Sequence, residues 1–278
     1  MVRLLACFKT TWNLDEMTTD EWNRMEDGRP PSFMKKTLGM YDESALELAL
    51  RISDDVKALG GESELTALTV DEDIEDHIAK NLFAIGYARV VHAACREDLR
   101  FRPDLVADMI CGFVKNAERL ENFFDLILTG QQANLGDNGQ THLLMAEKLG
   151  LPCVLNVIDA SRVEGGVRVA SLVDDGLLEQ TITTSAVLGV GNAAHPYLRV
   201  PTLRERMNVS KKSVLLVPGE SLVPPDERRP PKVIQTGLSL KKIQRECRFI
   251  QGESAEEKAR SLYDSCLEEV LRSCALKS

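Results

Sequence analysis

The stretch that most constrains the fold runs from residue 126 to residue 153, LILTGQQANLGDNGQTHLLMAEKLGLPC. Its apolar opening, Leu126, Ile127 and Leu128 behind Phe123 and Phe124, predicts a buried strand over 123–129. A polar loop over 130–141 follows, carrying Gly130, Gly136 and Gly139. The pattern then predicts a helix over 141–149, stopped by Gly150 at the C′ position and by Pro152 beyond it. Strand, glycine-bearing polar loop and helix is the arrangement with which an α/β protein turns backbone N–H groups toward an anion. Glycine lets such a loop approach a ligand closely, and Asn134, Asp137, Asn138, Gln140 and Thr141 supply donors and acceptors. The same residue types also make an ordinary capped loop. Neither the Walker lysine nor GxGxxG spacing is present, so no standard phosphate fingerprint decides between the two.

The rest of the chain alternates in the same manner. A strand is expected over 3–8, ending at Lys9, and is followed by a polar insert over 11–39 that carries Trp12, Trp22 and Pro30-Pro31 and reads as a hairpin or lid. Ala45, Leu48, Ala49 and Ile52 follow the i, i+3, i+4, i+7 rule, which predicts a helix over 41–52 with Asp42 as its cap. LTALTV over 65–70 fits a buried parallel strand. A helix over 73–83, a strand over 86–92 and a helix from 104 to about 120 lead back to the central stretch. Beyond it come a strand over 153–159 and an antiparallel pair, 167–173 and 178–184, around Asp174-Asp175-Gly176. Residues 218–231 are proline-rich and read as an extended linker. A last helix starts at a capping box made by Ser254 and Glu257, with Leu262, Cys266, Leu267, Val270 and Leu271 along its apolar stripe. The order of elements predicts one α/β layer fold with a mostly parallel sheet flanked by helices.

Composition narrows the class. No apolar run approaches the roughly 20 residues of a membrane span, and the apolar start before Lys9 is too short for a signal peptide. A net charge of −9, without a lysine- or arginine-rich block, gives no footing for nucleic acid. The seven cysteines are odd in number, scattered and free of CxxC pairs. That predicts reduced thiols in a cytoplasmic protein, with neither a disulfide framework nor a metal site.

Several segments, in order, resemble the electron transfer flavoprotein beta subunit family. DNGQTHLLMAEKLGLP over 137–152 is similar to the family's nucleotide-binding segment. YDESALELALR over 41–51 resembles its Asn-Pro-(Phe/Tyr)-Asp-Glu-x-Ala-(Leu/Val)-Glu-x-Ala-Leu-Arg motif, with Gly39 in place of the asparagine. Asp174-Asp175-Gly176 with Ala186-Val187-Leu188, and 195–207 with Lys211-Lys212, resemble later signatures. Two more departures from the pattern are Asp71-Glu72, where the family has small residues, and Gly136, where it has an acid. Carboxylates at 71 and 72 would repel a phosphate placed beside them.

The resemblance implies a Rossmann-like fold of the adenine-nucleotide alpha-hydrolase-like kind over 1–217, insert included. It also implies a C-terminal arm over 218–278 that contacts an alpha subunit. Cys7, Lys9, Thr69, Val70, Asp137, Asn138, Gly139, Gln140 and Thr141 are the residues it assigns to an adenine nucleotide, either AMP or the adenine half of FAD. The implied role is electron carriage between a dehydrogenase and an acceptor, with FAD shared with the alpha subunit. No catalytic acid or base is named, because the flavin does the redox work. An electron-bifurcating subunit with FAD in this pocket, a stand-alone nucleotide-sensing module and a degraded site remain open beside that role.

Overall fold

A computed structural model of the chain describes all residues except 14–15, 25–33, 120–122, 134–135, 137, 235, 237–246, 248, 269–270 and 273–278. The chain divides into two compact units, Met1–Gly237 and Leu238–Ser278. The first unit runs β1 (Val2–Cys7), β2 (Thr10–Trp12), α1 (Thr19–Arg24), β3 (Lys36–Leu38), α2 (Met40–Ala58), β4 (Ser63–Asp71), α3 (Asp76–Ile85) and β5 (Arg89–Ala94). It continues through α4 (Pro103–Glu118), β6 (Leu126–Gly130), α5 (Thr141–Leu149), β7 (Cys153–Val163), β8 (Gly166–Val173), β9 (Gly176–Ile182) and β10 (Ala186–Val190). α6 (Leu203–Asn208), β11 (Leu215–Pro218), α7 (Gly219–Leu222) and a 3-10 turn, Pro225–Glu227, complete it.

Nine strands form one sheet in the order β11-β5-β4-β1-β6-β10-β7-β8-β9. From β11 to β7 all neighbours are parallel, as the apolar runs predict. β1 lies between β4 and β6, with Leu4 beside both Leu65 and Leu126. Alternate residues of each strand face opposite helical layers. Leu4, Ala6, Leu65, Ala67 and Leu128 meet α2 and α3 through Leu46, Ala49, Ile52, Leu82 and Phe83. Leu5, Cys7, Leu68, Val70 and Ile127 meet α4 and α5 through Leu105, Met109, Ile110 and Met145. Burying each leucine or isoleucine side chain of these layers stabilises the fold by roughly 1.5–3 kcal/mol.

Helix ends follow local chemistry. Gly150 closes α5 at φ +67°, a left-handed conformation that glycine adopts without strain. Pro103 opens α4, where its missing N–H costs nothing. α2 departs from expectation, because Gly39 is its N-cap. Asp42 lies one turn in and is buried, and its carboxylate accepts the Lys9 backbone N–H at 3.1 Å instead of capping the helix.

The antiparallel pair β8 and β9 forms as predicted, with Val173 opposite Gly176. β8 also pairs with β7, so the pair extends the main sheet. A separate two-stranded sheet, with Trp12 opposite Lys36, closes the base of the 11–39 insert. β10 is not among the strands expected from sequence, yet it is buried along its whole length between β6 and β7. The boundary expected at 217 falls within β11, which pairs with β5, and packing continues beyond it. Val223 is buried, and the Leu222 carbonyl rests on Gly112 of α4 so closely that a Cβ there would lie 2.5 Å away. Arg228 reaches Glu97 at 2.6 Å, and the Arg229 carbonyl accepts from Arg102 at 2.7 Å. The start of the predicted linker is therefore part of the folded unit, held by an apolar edge strand and by ion pairs.

In the second unit α8 (Ala255–Leu262) passes into a π-helical turn, Tyr263–Leu267. The Ser254 hydroxyl accepts the Glu257 N–H at 3.2 Å. The Glu257 carboxylate turns back to the N–H of Glu253 and not to that of Ser254, so half of the predicted capping box forms. Leu262, Leu267 and Leu271 of the predicted stripe are exposed, and Val270 lies outside the described residues.

Candidate functional site

A cavity of about 100 Å³ opens where β1, β4 and β6 end. The chain leaves β1 toward β4 and β5 on one side and later crosses to β6, β10 and β7 on the other. The carboxyl ends of β1 and β6 therefore flank the topological switch point, where open α/β sheets leave a crevice for ligands. Leu68, Val70, Leu99, Pro103, Val106 and Ile110 make the apolar wall on the α4 side. Lys9, Asp42, Thr129, Gln131, Gln132, Asn138, Gln140 and Thr141 make the polar wall.

Of the residues singled out in the sequence, Cys7, Lys9, Val70, Asn138, Gly139, Gln140 and Thr141 line this cavity together. Asp137 lies outside the described residues. Thr69 is not brought in. Strand alternation sends Leu68 and Val70 to the cavity face and puts Thr69 on the other, with Leu65 and Ala67. It is 1% exposed, and its hydroxyl has no hydrogen-bond partner among the described residues. Sequence patterning did not single out Asp42, Gln131, Gln132 or Thr129 for the site, or the apolar wall from α4. Thr129 could have been found, since it continues the alternation of Ile127 one step past the buried run.

The loop that carries the polar wall is tied at both ends. At Gly130 a Cβ would fall 2.9 Å from the Tyr41 carbonyl carbon and 3.0 Å from the Asp42 nitrogen, so α2 starts against the end of β6. The Gln131 N–H donates to the Val190 carbonyl, and its side-chain oxygen accepts the N–H of Asn156, which stands at φ +51°. Farther on, Gly136 has φ +88°, and a Cβ there would run into the Arg100 carbonyl oxygen. That carbonyl accepts the Asn138 side-chain amide at 2.9 Å. Glycine at 136 thus follows from backbone geometry, which leaves no room for an acidic side chain there. Behind the loop, His142 in the first turn of α5 is buried, and burial lowers its pKa. A Cβ on Gly189 of β10 would lie 3.1 Å from its ring, so β10 and α5 pack closely.

Electrostatically the cavity is mixed. Burial lowers the pKa of Lys9, while Asp42, Asp71 and Asp98 pull it back up. Burial lifts Asp42 to about 7 against the opposing hydrogen bond and charge of Lys9. Burial, with Cys111 and Asp42 nearby, raises Cys7 far above the ordinary thiol range, so it is a neutral wall group and no nucleophile. Asp71 and Glu72 are not among the residues that line the cavity. The Asp71 carboxylate is held by the Thr10 hydroxyl at 2.8 Å, the Lys36 ammonium at 3.2 Å and the Glu72 N–H at 2.7 Å.

Fold and cavity together define an α/β protein of the doubly wound class with a ligand crevice at its switch point. Residues 34–215 match the model of the electron transfer flavoprotein domain family. The chain is 27% identical over 269 residues to the Escherichia coli (strain K12) protein named "Putative electron transfer flavoprotein subunit YgcR", covering 96% of this chain and 98% of that one. It is 26% identical over 258 residues to the electron transfer flavoprotein subunit beta of Bacillus subtilis (strain 168), covering 92% and 94%. It is 25% identical over 215 residues to the corresponding subunit of Syntrophomonas wolfei, covering 77% and 78%. The chain belongs to the electron transfer flavoprotein family, as a divergent member of its beta-subunit branch, and its role is that of an electron transfer flavoprotein. Among the described residues no helix is long and apolar enough to cross a membrane.

Proposed function

We propose that this chain is the beta subunit of a heterodimeric electron transfer flavoprotein and that the cavity at the switch point holds an adenine nucleotide. One observation carries the proposal: Lys9, Asn138, Gly139, Gln140 and Thr141 converge at the start of α5, beside the carboxyl ends of β1 and β6. The N–H groups of a first helical turn have no intrahelical acceptor and favour an anion. Amide, hydroxyl and ammonium donors of this kind suit a phosphate and a ribose, and the α4 wall suits a base. Lys9, Asn138, Gln140 and Thr141 would hold the phosphate side. Gly139 has φ +58°, and among the described residues a Cβ added there would meet no foreign atom closer than 3.9 Å, so its space is left to the ligand.

The volume of about 100 Å³ lies below the ~300 Å³ of a typical small-molecule pocket. This chain therefore encloses part of a nucleotide, and an alpha subunit supplies the remaining cover. The exposed leucines of α8 suit the same partner, with the second unit as the contacting arm. A flavin bound to the heterodimer would supply the redox chemistry, and a dehydrogenase would donate or accept the electrons in the cytoplasm. The residues of this chain bind and orient.

Co-expression with a flavin-binding alpha subunit, followed by acid release and chromatography of the bound nucleotides, tests the proposal. One FAD and one AMP per heterodimer is the expected result. Two FAD without AMP would put a second flavin in this cavity. One FAD alone would mean that the cavity does not serve as a nucleotide site, and failure to form a heterodimer would overturn the subunit assignment.

A further inference from the structure

Asp71 ends β4 one residue beyond the cavity-lining Val70, on the same strand face as Thr69, and its charge pulls up the pKa of Lys9 on the cavity wall. An unopposed carboxylate there would work against any anion bound beside Lys9. It is not unopposed. Lys36, on the strand that closes the insert, sends its ammonium to Asp71 Oδ2 at 3.2 Å and to Asp73 Oδ1 at 2.5 Å. The lysine side chain is 11% exposed, and its ammonium lies 5.4 Å from the centre of the Trp12 ring, its cross-strand neighbour. Thr10, on the partner strand, donates to the same Asp71 oxygen. Burial alone would lower the pKa of Lys36. The hydrogen bonds to Asp73 and Asp71 outweigh it, so the ammonium stays charged through the neutral range.

We propose that Lys36 is a specificity-determining residue for the cavity: it neutralises Asp71 and so lets the site accept an anionic ligand rather than only a neutral nucleoside. The proposal rests on the nucleotide assignment of the cavity and adds the residue that sets its charge preference. Lys36 touches no ligand in this scheme. It acts through Asp71, and only on the charged part of what binds.

That distinction makes the test. The co-expressed heterodimer, freed of any copurified AMP, is titrated calorimetrically with AMP and, separately, with adenosine, the variants being made in this chain. Lys36→Met should weaken AMP by about tenfold, the size of one uncompensated charge acting through a protein surface, and leave adenosine within about twofold. Lys36→Arg should retain AMP affinity. Lys36→Met combined with Asp71→Asn should recover it, because the charge to be neutralised is gone. Equal loss of AMP and adenosine would mean that Lys36 merely holds the insert in place, and would overturn the proposal. So would unchanged AMP affinity in Lys36→Met, or failure of the double variant to recover. Wild-type protein that binds neither probe would overturn the cavity assignment itself, a result distinct from all of these.

Discussion

Asp42→Asn isolates the one buried carboxylate that lines the cavity among the described residues. The residue is 6% exposed and accepts the Lys9 N–H at 3.1 Å. Burial, opposed by that hydrogen bond and by the Lys9 charge, lifts its pKa from 3.8 to about 7. An acid with a raised folded-state pKa binds its proton more tightly folded than unfolded. Its contribution to stability is complete below pH 3.8 and is lost as pH rises through about 7. At 1.36 kcal/mol per pH unit the full loss is about 4 kcal/mol. Asparagine does not ionise, so the variant escapes this loss while keeping an oxygen for the Lys9 N–H. The stability of the variant relative to wild type should be constant below about pH 4, climb by about 4 kcal/mol up to about pH 7, and be level above it. Urea unfolding of both proteins across that range, in matched buffers, reads the difference directly. A flat difference would show that Asp42 ionises with its ordinary pKa, and a decline with pH would show that its charge is stabilised by the fold. Either result refutes the reasoning.

Four further outcomes are expected. AMP binding should weaken as pH rises through about 7 in wild type, because Asp42 gains charge in the cavity, and titrations of Asp42→Asn should lack that step. Gly136→Ala should cost at least about 1 kcal/mol in chemical denaturation, since φ +88° and the Arg100 carbonyl both oppose a side chain there. Thr69→Val should be neutral or slightly stabilising in a thermal melt and leave nucleotide binding unchanged, because it removes a buried hydroxyl, unpartnered among the described residues, on the face away from the cavity. Arg199→Met should cost about 3 kcal/mol in denaturant unfolding. It strands buried Glu47, which Arg199 contacts at 2.7 Å, and loosens a segment whose Leu198 N–H rests on Glu43.

The parts of the fold legible in the sequence are those whose signal is local. β1, β4 and β6 are buried on both faces, so each reads as a continuous apolar run. α2 shows its inward stripe, and α5 carries its own stop signal at Gly150. β10 is five residues with a glycine inside, too short to show a period, and only its place between β6 and β7 makes it a core strand. β11 sits beside a proline-rich stretch that hides it, and its pairing with β5 spans well over a hundred residues of sequence, a non-local contact with no local mark. α6 did carry a mark, the Thr202 and Glu205 capping box, in which each side chain satisfies the other's backbone.

The site divides in the same way. Asn138 through Thr141 are contiguous and precede a helix, so their joint placement follows from the strand–loop–helix pattern. Thr69 and Val70 could not both face one cavity, because adjacent strand residues point to opposite sides, and alternation excludes whichever neighbour of a cavity residue is considered. Asp71 shows where one-dimensional reasoning stops. Judged by residue type it is a negative charge at a strand end beside an anion site, and repulsion follows. Its counter-charge lies 35 residues away, in an insert with no regular pattern. Only the pairing of Trp12 with Lys36 and the meeting of that small sheet with the end of β4 bring the two within 3.2 Å. Residue type alone gave the sign of the charge, while the fold decided whether the cavity feels it. A carboxylate that departs from a family's pattern is therefore evidence of a lost site only after its partner has been sought in three dimensions.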